Sequence, residues 1–214
     1  MTRAPRASTP KPVGGARWRS ANDPRLSREE ILAMLGENHD RLAAATTGLD
    51  PAFLRRAPGE GEWSPRDILA HVRACADVWG ACIATILAED RPTIRAVGPR
   101  TYIHDTDYPD LEFAPSFRAF VSQRTALLET LEPLATEAWG RTAVVTGAGA
   151  TLERTMNWYA LGLAAHERSH VKQIERIVRT ATRAGTEGRG GRVAVEQRRA
   201  RGAASHTETP KEPV

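Results

Sequence analysis

Four segments of the chain repeat apolar residues at intervals of three and four, the spacing that gives an α-helix one apolar face. The segments cover about residues 27–47, 64–89, 115–138 and 151–180. They do not alternate with strand-like runs, and the sequence contains no internal repeats. A single all-α domain over residues 23–180, most simply a four-helix bundle, is therefore predicted.

Local signals mark the ends of these helices. Ser27 followed by Glu30 is a capping-box pattern, and Ser64 with a proline directly after it is typical of a helix start. Thr151 is the expected cap of the fourth helix. Pro133 is expected to kink or shorten the third helix, because proline has no N–H to donate.

Two connections between the helices carry structure or chemistry of their own. Residues 90–114 form a long loop rich in Pro, Asp, Tyr and Gly, and loops of this length are usually functional or disordered. Its residues His104, Asp105 and Asp107 are candidates for a lid over a site. The β-branched run and glycines of residues 141–149 predict a short hairpin before the fourth helix.

The basic character of the chain is confined to its two ends. Of a formal net charge of +4, residues 1–22 carry +5 and residues 181–214 carry +3, which leaves −4 on residues 23–180. Both ends are poor in large apolar residues, so they are predicted to be disordered tails, the second rich in Gly and Arg. A mildly acidic domain does not favour a specific nucleic-acid partner.

The sequence also bears on the cellular location of the protein. It has no run of 18 or more uncharged apolar residues, and its first residues lack the apolar stretch of a secretory signal. Cys75 and Cys82 are seven residues apart in one predicted helix, about 10.5 Å at a rise of ~1.5 Å per residue, too far for a disulfide. We expect a soluble cytoplasmic protein with no membrane partner.

Three histidines fall on faces that the periodicity turns toward the core. His166 and His170 are one helical turn apart on the stripe of the fourth helix, and His71 lies on the stripe of the second. Buried imidazoles are costly unless each has a partner. A divalent metal bound by three nitrogens would satisfy them and leave positions open for water or substrate. Hydrogen-bonded histidines without a metal are the alternative.

Residues 166–170 also spell the HExxH pattern of zinc metalloproteases. The remainder of that signature is missing, because Gln173 and Arg176 stand where the extended form has a glycine and a third histidine. The pattern therefore does not favour a protease.

Two stretches resemble the DinB/YfiT-like family of metal-binding four-helix bundles. Residues 61–72 (GEWSPRDILAHV) resemble the family's W-S-x-x-[DE]-[IV]-[LV]-x-H-[LV] start of helix two. Residues 166–174 (HERSHVKQI) are similar to its H-[DE]-x-x-H-x-x-Q-[IL] pattern. The resemblance covers about residues 25–180, the whole predicted domain.

The resemblance implies that His71, His166 and His170 are metal ligands and that Glu167 belongs to the family pattern, where it need not be a protease base. Relatives often have a polar or acidic residue four positions after His71, where this chain has Cys75. Cys75 is therefore either a fourth ligand or, more simply, a small buried hydrophobic residue.

Some members of the family are thiol S-transferases, in which the metal lowers the pKa of a low-molecular-weight thiol such as bacillithiol or mycothiol. The resemblance thus implies a metal-dependent S-transferase acting on small molecules, with zinc or nickel as the favoured metal and no general base assigned. One alternative is a hydrolase using metal-bound hydroxide, for which Glu167 is the nearby acid. Another is a non-catalytic binding or stress-response module, homodimeric through one face of the bundle.

Overall fold

Four long helices form the framework of the protein, as the apolar spacing predicted. The computed structural model describes residues 26–147 and 149–204, with side chains as far as residue 183. In chain order the helices are α1 (Arg28–Thr46), α2 (Pro51–Arg55), α3 (Pro65–Ala88), α4 (Pro99–Tyr102), α5 (Phe113–Leu131), α6 (Thr136–Trp139) and α7 (Met156–Ala204). The strands are β1 (Thr93–Arg95), β2 (Thr142–Thr146) and β3 (Leu152–Thr155).

The predicted starts of the first two long helices are confirmed in atomic detail. At α1 the Ser27 hydroxyl accepts from the Glu30 amide at 3.2 Å, and the Glu30 carboxylate accepts from the Ser27 amide. At α3 the Ser64 hydroxyl accepts from the Asp67 amide at 3.2 Å, and Asp67 returns the bond to the Ser64 amide at 3.1 Å. Each capping box satisfies two amides that a helix start leaves unpaired.

The predicted bounds of the other two long helices need correction. Helix α5 ends at Leu131 rather than near residue 138, because Pro133 has no N–H to continue the helical hydrogen bonds. Helix α7 begins at Met156 instead of after Thr151, and the capping hydroxyl is that of Thr155, which accepts from the Trp158 amide at 3.0 Å. Residues 152–155, between the predicted and the observed start of this helix, form strand β3, which pairs with β2.

The predicted hairpin is present as part of a three-stranded sheet. Strands β2 and β3 pair antiparallel, with Thr142 opposite Thr155. Strand β1, from the long 90–114 connection, pairs parallel to β2, with Thr93 opposite Val144. The sheet therefore ties the long connection to the segment that leads into α7.

The core lies between the four long helices. Helix α5 packs against both α1 and α3. Asn38 of α1 donates to the carbonyl of Ala164 in α7 at 3.1 Å, which joins those two helices in the interior. Residues with no more than 1% of their surface exposed come from all four helices and include Ile31, Leu35, Ile68, Ile83, Ile86, Phe120, Leu131, Met156 and Leu163.

The long connection is anchored on α3 rather than extended into solvent. It contains β1, α4 and two short 3-10 turns, Ile103–Asp105 and Tyr108–Asp110. The Tyr108 hydroxyl donates to the Asp77 carboxylate at 2.6 Å, and Tyr102 donates to the same oxygen at 3.4 Å. These bonds hold the connection against the helix that also carries His71.

The ends of the chain are described only in part. The structure divides into two units after Glu175, and helical backbone continues in the second unit to Ala204. It therefore covers residues 181–204, where the sequence predicted a disordered tail. No proline occurs in that range to interrupt a helix. The predicted tail at residues 1–22 and the remainder of the second tail, 205–214, lie outside the described residues.

Among the described helices, α3 is long and apolar enough to cross a membrane by length and composition alone. Half of its most apolar window is buried inside the protein, as in the core helix of a bundle. This feature is weak evidence for a membrane span.

Replacing the α3 cap should lower stability measurably. We expect Ser64→Ala to reduce the free energy of unfolding by about 1–2 kcal/mol, because it removes a capping bond and leaves a buried amide without its partner. Urea denaturation followed by circular dichroism measures the loss. Ser27→Ala, at the equivalent but exposed box of α1, is the control and should cost about 1 kcal/mol or less. An unchanged midpoint for Ser64→Ala would contradict this account of the α3 start.

Candidate metal centre

The three histidines singled out in the sequence come together between α3 and α7. The Nε2 atom of His166 lies 3.2 Å from Nε2 of His71 and 3.2 Å from Nε2 of His170. The ring centroids are 4.5–5.1 Å apart, with the rings steeply tilted to one another. Nε2 of His166 therefore lies within contact distance of the Nε2 atoms of both other rings.

This arrangement fits a bound cation better than hydrogen bonding alone. A ring nitrogen carries either one hydrogen or one lone pair, so Nε2 of His166 cannot form full hydrogen bonds to both neighbours. Two nitrogens that each bind a tetrahedral metal at about 2.0–2.1 Å are about 3.3 Å apart. The observed separations of 3.2 Å match that spacing.

Cys75 brings a sulfur to the same place. Its Sγ lies 3.6 Å from Nε2 of His71 and 3.9 Å from Nε2 of His166. The donor atoms of His71, Cys75 and His166 all lie within 4.8 Å of one another, so these three residues could hold a metal ion. Imidazole and thiolate donors suit zinc and other transition metals rather than magnesium or calcium.

Burial keeps the donors in defined protonation states. It lowers the pKa of His71 to about 4, with smaller contributions from the neighbouring His170 and Arg100 charges. Burial likewise lowers the pKa values of His166 and His170, so the rings are neutral, the form that coordinates metals. Burial raises the pKa of the Cys75 thiol to about 12, which keeps the sulfur protonated in the metal-free protein.

One of the rings is oriented by a neighbour on its own helix. Nδ1 of His170 lies 3.0 Å from the side-chain oxygen of Gln173, which can only accept a hydrogen bond. Nδ1 therefore carries the hydrogen, and the lone pair of Nε2 points toward His166. Such an outer partner fixes the tautomer that a metal ligand needs.

Two tryptophans flank the cluster. The ring of Trp63, just before α3, is centred 5.0 Å from that of His71, and Trp79 is centred 5.2 Å from His166. Both tryptophans and all three histidines are half-buried rather than sealed in the core. The cluster is therefore partly accessible to solvent, with two aromatic rings beside it.

Glu167 is not part of this cluster. Its side chain has no exposed surface and forms an ion pair with Arg124 of α5, while Asn38 donates to its second oxygen at 3.5 Å. The carboxylate that a hydrolase would use as its base is thus engaged in the interior. Sequence reasoning missed Arg124, although a charged residue within the apolar stripe of α5 is a signal for a buried partner.

Within the described part of the chain, His39 and the predicted lid residues contribute no donor to this cluster. His39 of α1 lies 3.3 Å from the carboxylate of its neighbour Asp40. His104, Asp105 and Asp107 are exposed on the long connection. The charge of Arg100 in that connection does reach His71, so α4 lies close to the site.

Breaking the buried ion pair should destabilise the protein strongly. We expect Arg124→Met to lower the free energy of unfolding by about 3–5 kcal/mol, because it leaves the Glu167 carboxylate buried without a counter-charge. The double variant Arg124→Met/Glu167→Leu should recover most of this loss. Urea denaturation provides the measurement.

Arg41→Met is the matched control for that experiment. It removes a half-exposed pair with Glu175, which is 2.8 Å long, and should cost about 1 kcal/mol or less. Equal losses for the two single variants would contradict the importance given to the buried pair.

The histidine cluster should make the metal-free protein sensitive to acid. The pKa of His71 is about 4 in the folded state against an ordinary 6.5, so the unfolded chain binds more protons between these values. Stability should be fully present above about pH 6.5 and fall as the pH drops toward about 4. Urea midpoints of chelator-treated protein across this range measure the effect.

His71→Gln supplies the comparison for the acid effect. This variant cannot gain the proton, so it should lose less stability than the wild-type protein between about pH 6.5 and 4. Parallel pH profiles for the two proteins would show that His71 titrates alike in the folded and unfolded states.

Comparison with known proteins found a matching family and structures of similar fold. Residues 34–174 match the DinB superfamily. A structure described as YfiT from Bacillus subtilis, a probable metal-dependent hydrolase with an unusual four-helix bundle topology, aligns with a TM-score of 0.59 at 16% identity, covering 72% of this chain and 87% of that one. TT2238, a four-helix bundle protein, aligns with a TM-score of 0.49 at 20% identity, covering 70% and 99%. No curated protein matches the sequence. Because the family match spans well over half of the chain, this protein belongs to the DinB superfamily.

Proposed function

We propose that His71, His166 and His170 bind one divalent metal ion and that the protein is a metal-dependent S-transferase. Its substrates would be a low-molecular-weight thiol and a small electrophile. The proposal rests on the positions of three Nε2 atoms from two helices. Nε2 of His166 lies 3.2 Å from Nε2 of His71 and 3.2 Å from Nε2 of His170. A bound divalent cation would lower the pKa of a thiol and stabilise the thiolate.

Residues around the three histidines support this chemistry, because they orient one histidine ring, limit the access of water and attract an anionic group. Gln173 holds the hydrogen of His170 on Nδ1, so Nε2 faces the cluster as a donor. The rings of Trp63 and Trp79 lie beside the cluster and limit the access of water to it. Arg100, whose charge is felt at His71, favours an anionic substrate group near the cluster.

A thiol suits this site better than water because a thiol needs less help to lose its proton. Its ordinary pKa is near 8.5, against 15.7 for water, so the same cation brings it to the anionic form more completely. The nearby carboxylate of Glu167 is buried and paired with Arg124. A nucleophile that requires no separate base is therefore favoured.

Hydrolysis is the second candidate, and one specific observation favours it. The structure of YfiT, which shares the fold, is described as that of a probable metal-dependent hydrolase. The same ion would bind water as readily as a thiol and supply hydroxide. The choice between the two nucleophiles therefore needs an activity measurement.

For either enzyme we propose a location in the cytoplasm, where thiols are kept reduced.

Metal analysis of the purified full chain tests the first part of the proposal. We expect one zinc or nickel ion per chain in the wild-type protein. His71→Ala, His166→Ala and His170→Ala should each weaken binding by more than the roughly 10–100-fold typical of an outer-shell change. His39→Ala, on α1 beside Asp40, is the control and should bind like the wild type. Metal retained at full affinity by the three variants would overturn the site.

Activity assays of the metal-loaded protein test the second part. Consumption of thiol with a panel of electrophiles should occur in the wild type and the His39→Ala control and be lost in His71→Ala. Hydrolysis of esters and amides without thiol would instead favour the second candidate. Tight metal binding without turnover in either panel would leave the protein a non-catalytic metal-binding module and contradict both enzyme proposals.

A further inference from the structure

We propose that Cys75 is a fourth ligand of the metal, bound as a thiolate beside His71, His166 and His170. The inference rests on the metal centre proposed above and concerns a residue outside its three histidines. It also refines the identity of the metal, because three imidazoles and one thiolate form a set that zinc accepts in tetrahedral geometry.

The position of the sulfur carries the inference. Cys75 follows His71 by one helical turn on α3, so both side chains extend from the same face. A thiolate at about 2.3 Å and an imidazole nitrogen at about 2.0–2.1 Å from one tetrahedral zinc are about 3.6 Å apart. The Sγ atom lies 3.6 Å from Nε2 of His71 and 3.9 Å from Nε2 of His166.

A purely hydrophobic role does not explain this placement as well. The Cys75 side chain is buried, with 1% of its surface exposed, and among the described contacts the polar atoms near its sulfur are histidine nitrogens. Cys82, on the same helix, is half-buried and interacts instead with Tyr159. The two cysteines therefore occupy different environments although both lie on α3.

Binding of the ion would convert the thiol into a ligand in a balanced step. The S–H bond breaks, a metal–sulfur bond forms, and the proton leaves to the solvent buffer, with no change in oxidation state. His71, Cys75, His166 and His170 would together supply the four donors that a tetrahedral zinc ion takes. A substrate thiolate would then have to add as a fifth donor or replace Cys75.

Cobalt substitution of the full-length protein tests the inference. Co²⁺ added to the metal-free wild-type protein should produce a strong ultraviolet thiolate-to-cobalt charge-transfer band, saturating at one ion per chain. Cys75→Ala should bind Co²⁺ without this band and at least about tenfold more weakly. Cys82→Ala is the matched control and should keep both the band and the affinity. Far-ultraviolet circular dichroism of each variant confirms that it is folded.

X-ray absorption of the zinc-loaded wild-type protein gives a second readout that needs no variant. A sulfur shell at about 2.3 Å is expected beside the nitrogen shell at about 2.0–2.1 Å. Cobalt or zinc bound by nitrogen and oxygen alone would overturn the role of Cys75 and leave the three-histidine centre standing. Failure of the wild-type protein to bind either ion would overturn both the centre and its fourth ligand.

Discussion

Two neighbouring residues of α7 tie the bundle together through buried polar contacts on different sides of the helix. Successive residues of a helix point about 100° apart, so His166 and Glu167 face different partners. His166 meets His71 of α3, while Glu167 pairs with Arg124 of α5 and accepts from Asn38 of α1. In an apolar interior each of these groups would be costly alone, and only one register of the helices satisfies both sets. The polar contacts therefore fix how α7 sits among the other helices of the first unit.

The segment that opens α3 combines structural and chemical roles within a few residues. Ser64 and Asp67 begin the helix with reciprocal bonds, and the preceding Trp63 places its ring beside the histidines. Because α3 starts at a defined residue, His71 emerges about two turns later at a fixed height opposite α7. The motif that resembles the family thus has a direct physical meaning: the cap sets the register of His71, and the tryptophan ring packs beside the His71 ring.

Local signals predicted the helices and the closeness of the histidines. Features that depend on contacts between residues far apart in the sequence were not predicted. The capping boxes at Ser27 and Ser64 and the helical spacing of the histidines are readable within a few residues. Strand β1 is only three residues long and exists through its pairing with β2, about 50 residues later. Thr151 looked like a cap because nothing local distinguishes it from Thr155, and the strand between them is defined by its partner. The Arg124–Glu167 pair joins residues 43 apart, so neither residue alone reveals the other.

The charge around the proposed centre bears on which ligands it accepts. Three neutral imidazoles would leave a bound divalent ion with its full charge, and the buried Glu167 would not reduce it because Arg124 already balances that carboxylate. In a half-buried site of low dielectric this excess favours an anionic ligand strongly. Arg100 adds a further positive charge near His71. A thiolate, whether from Cys75 or from a substrate, supplies the missing negative charge, and the two compete for the same place because each satisfies the same electrostatic need.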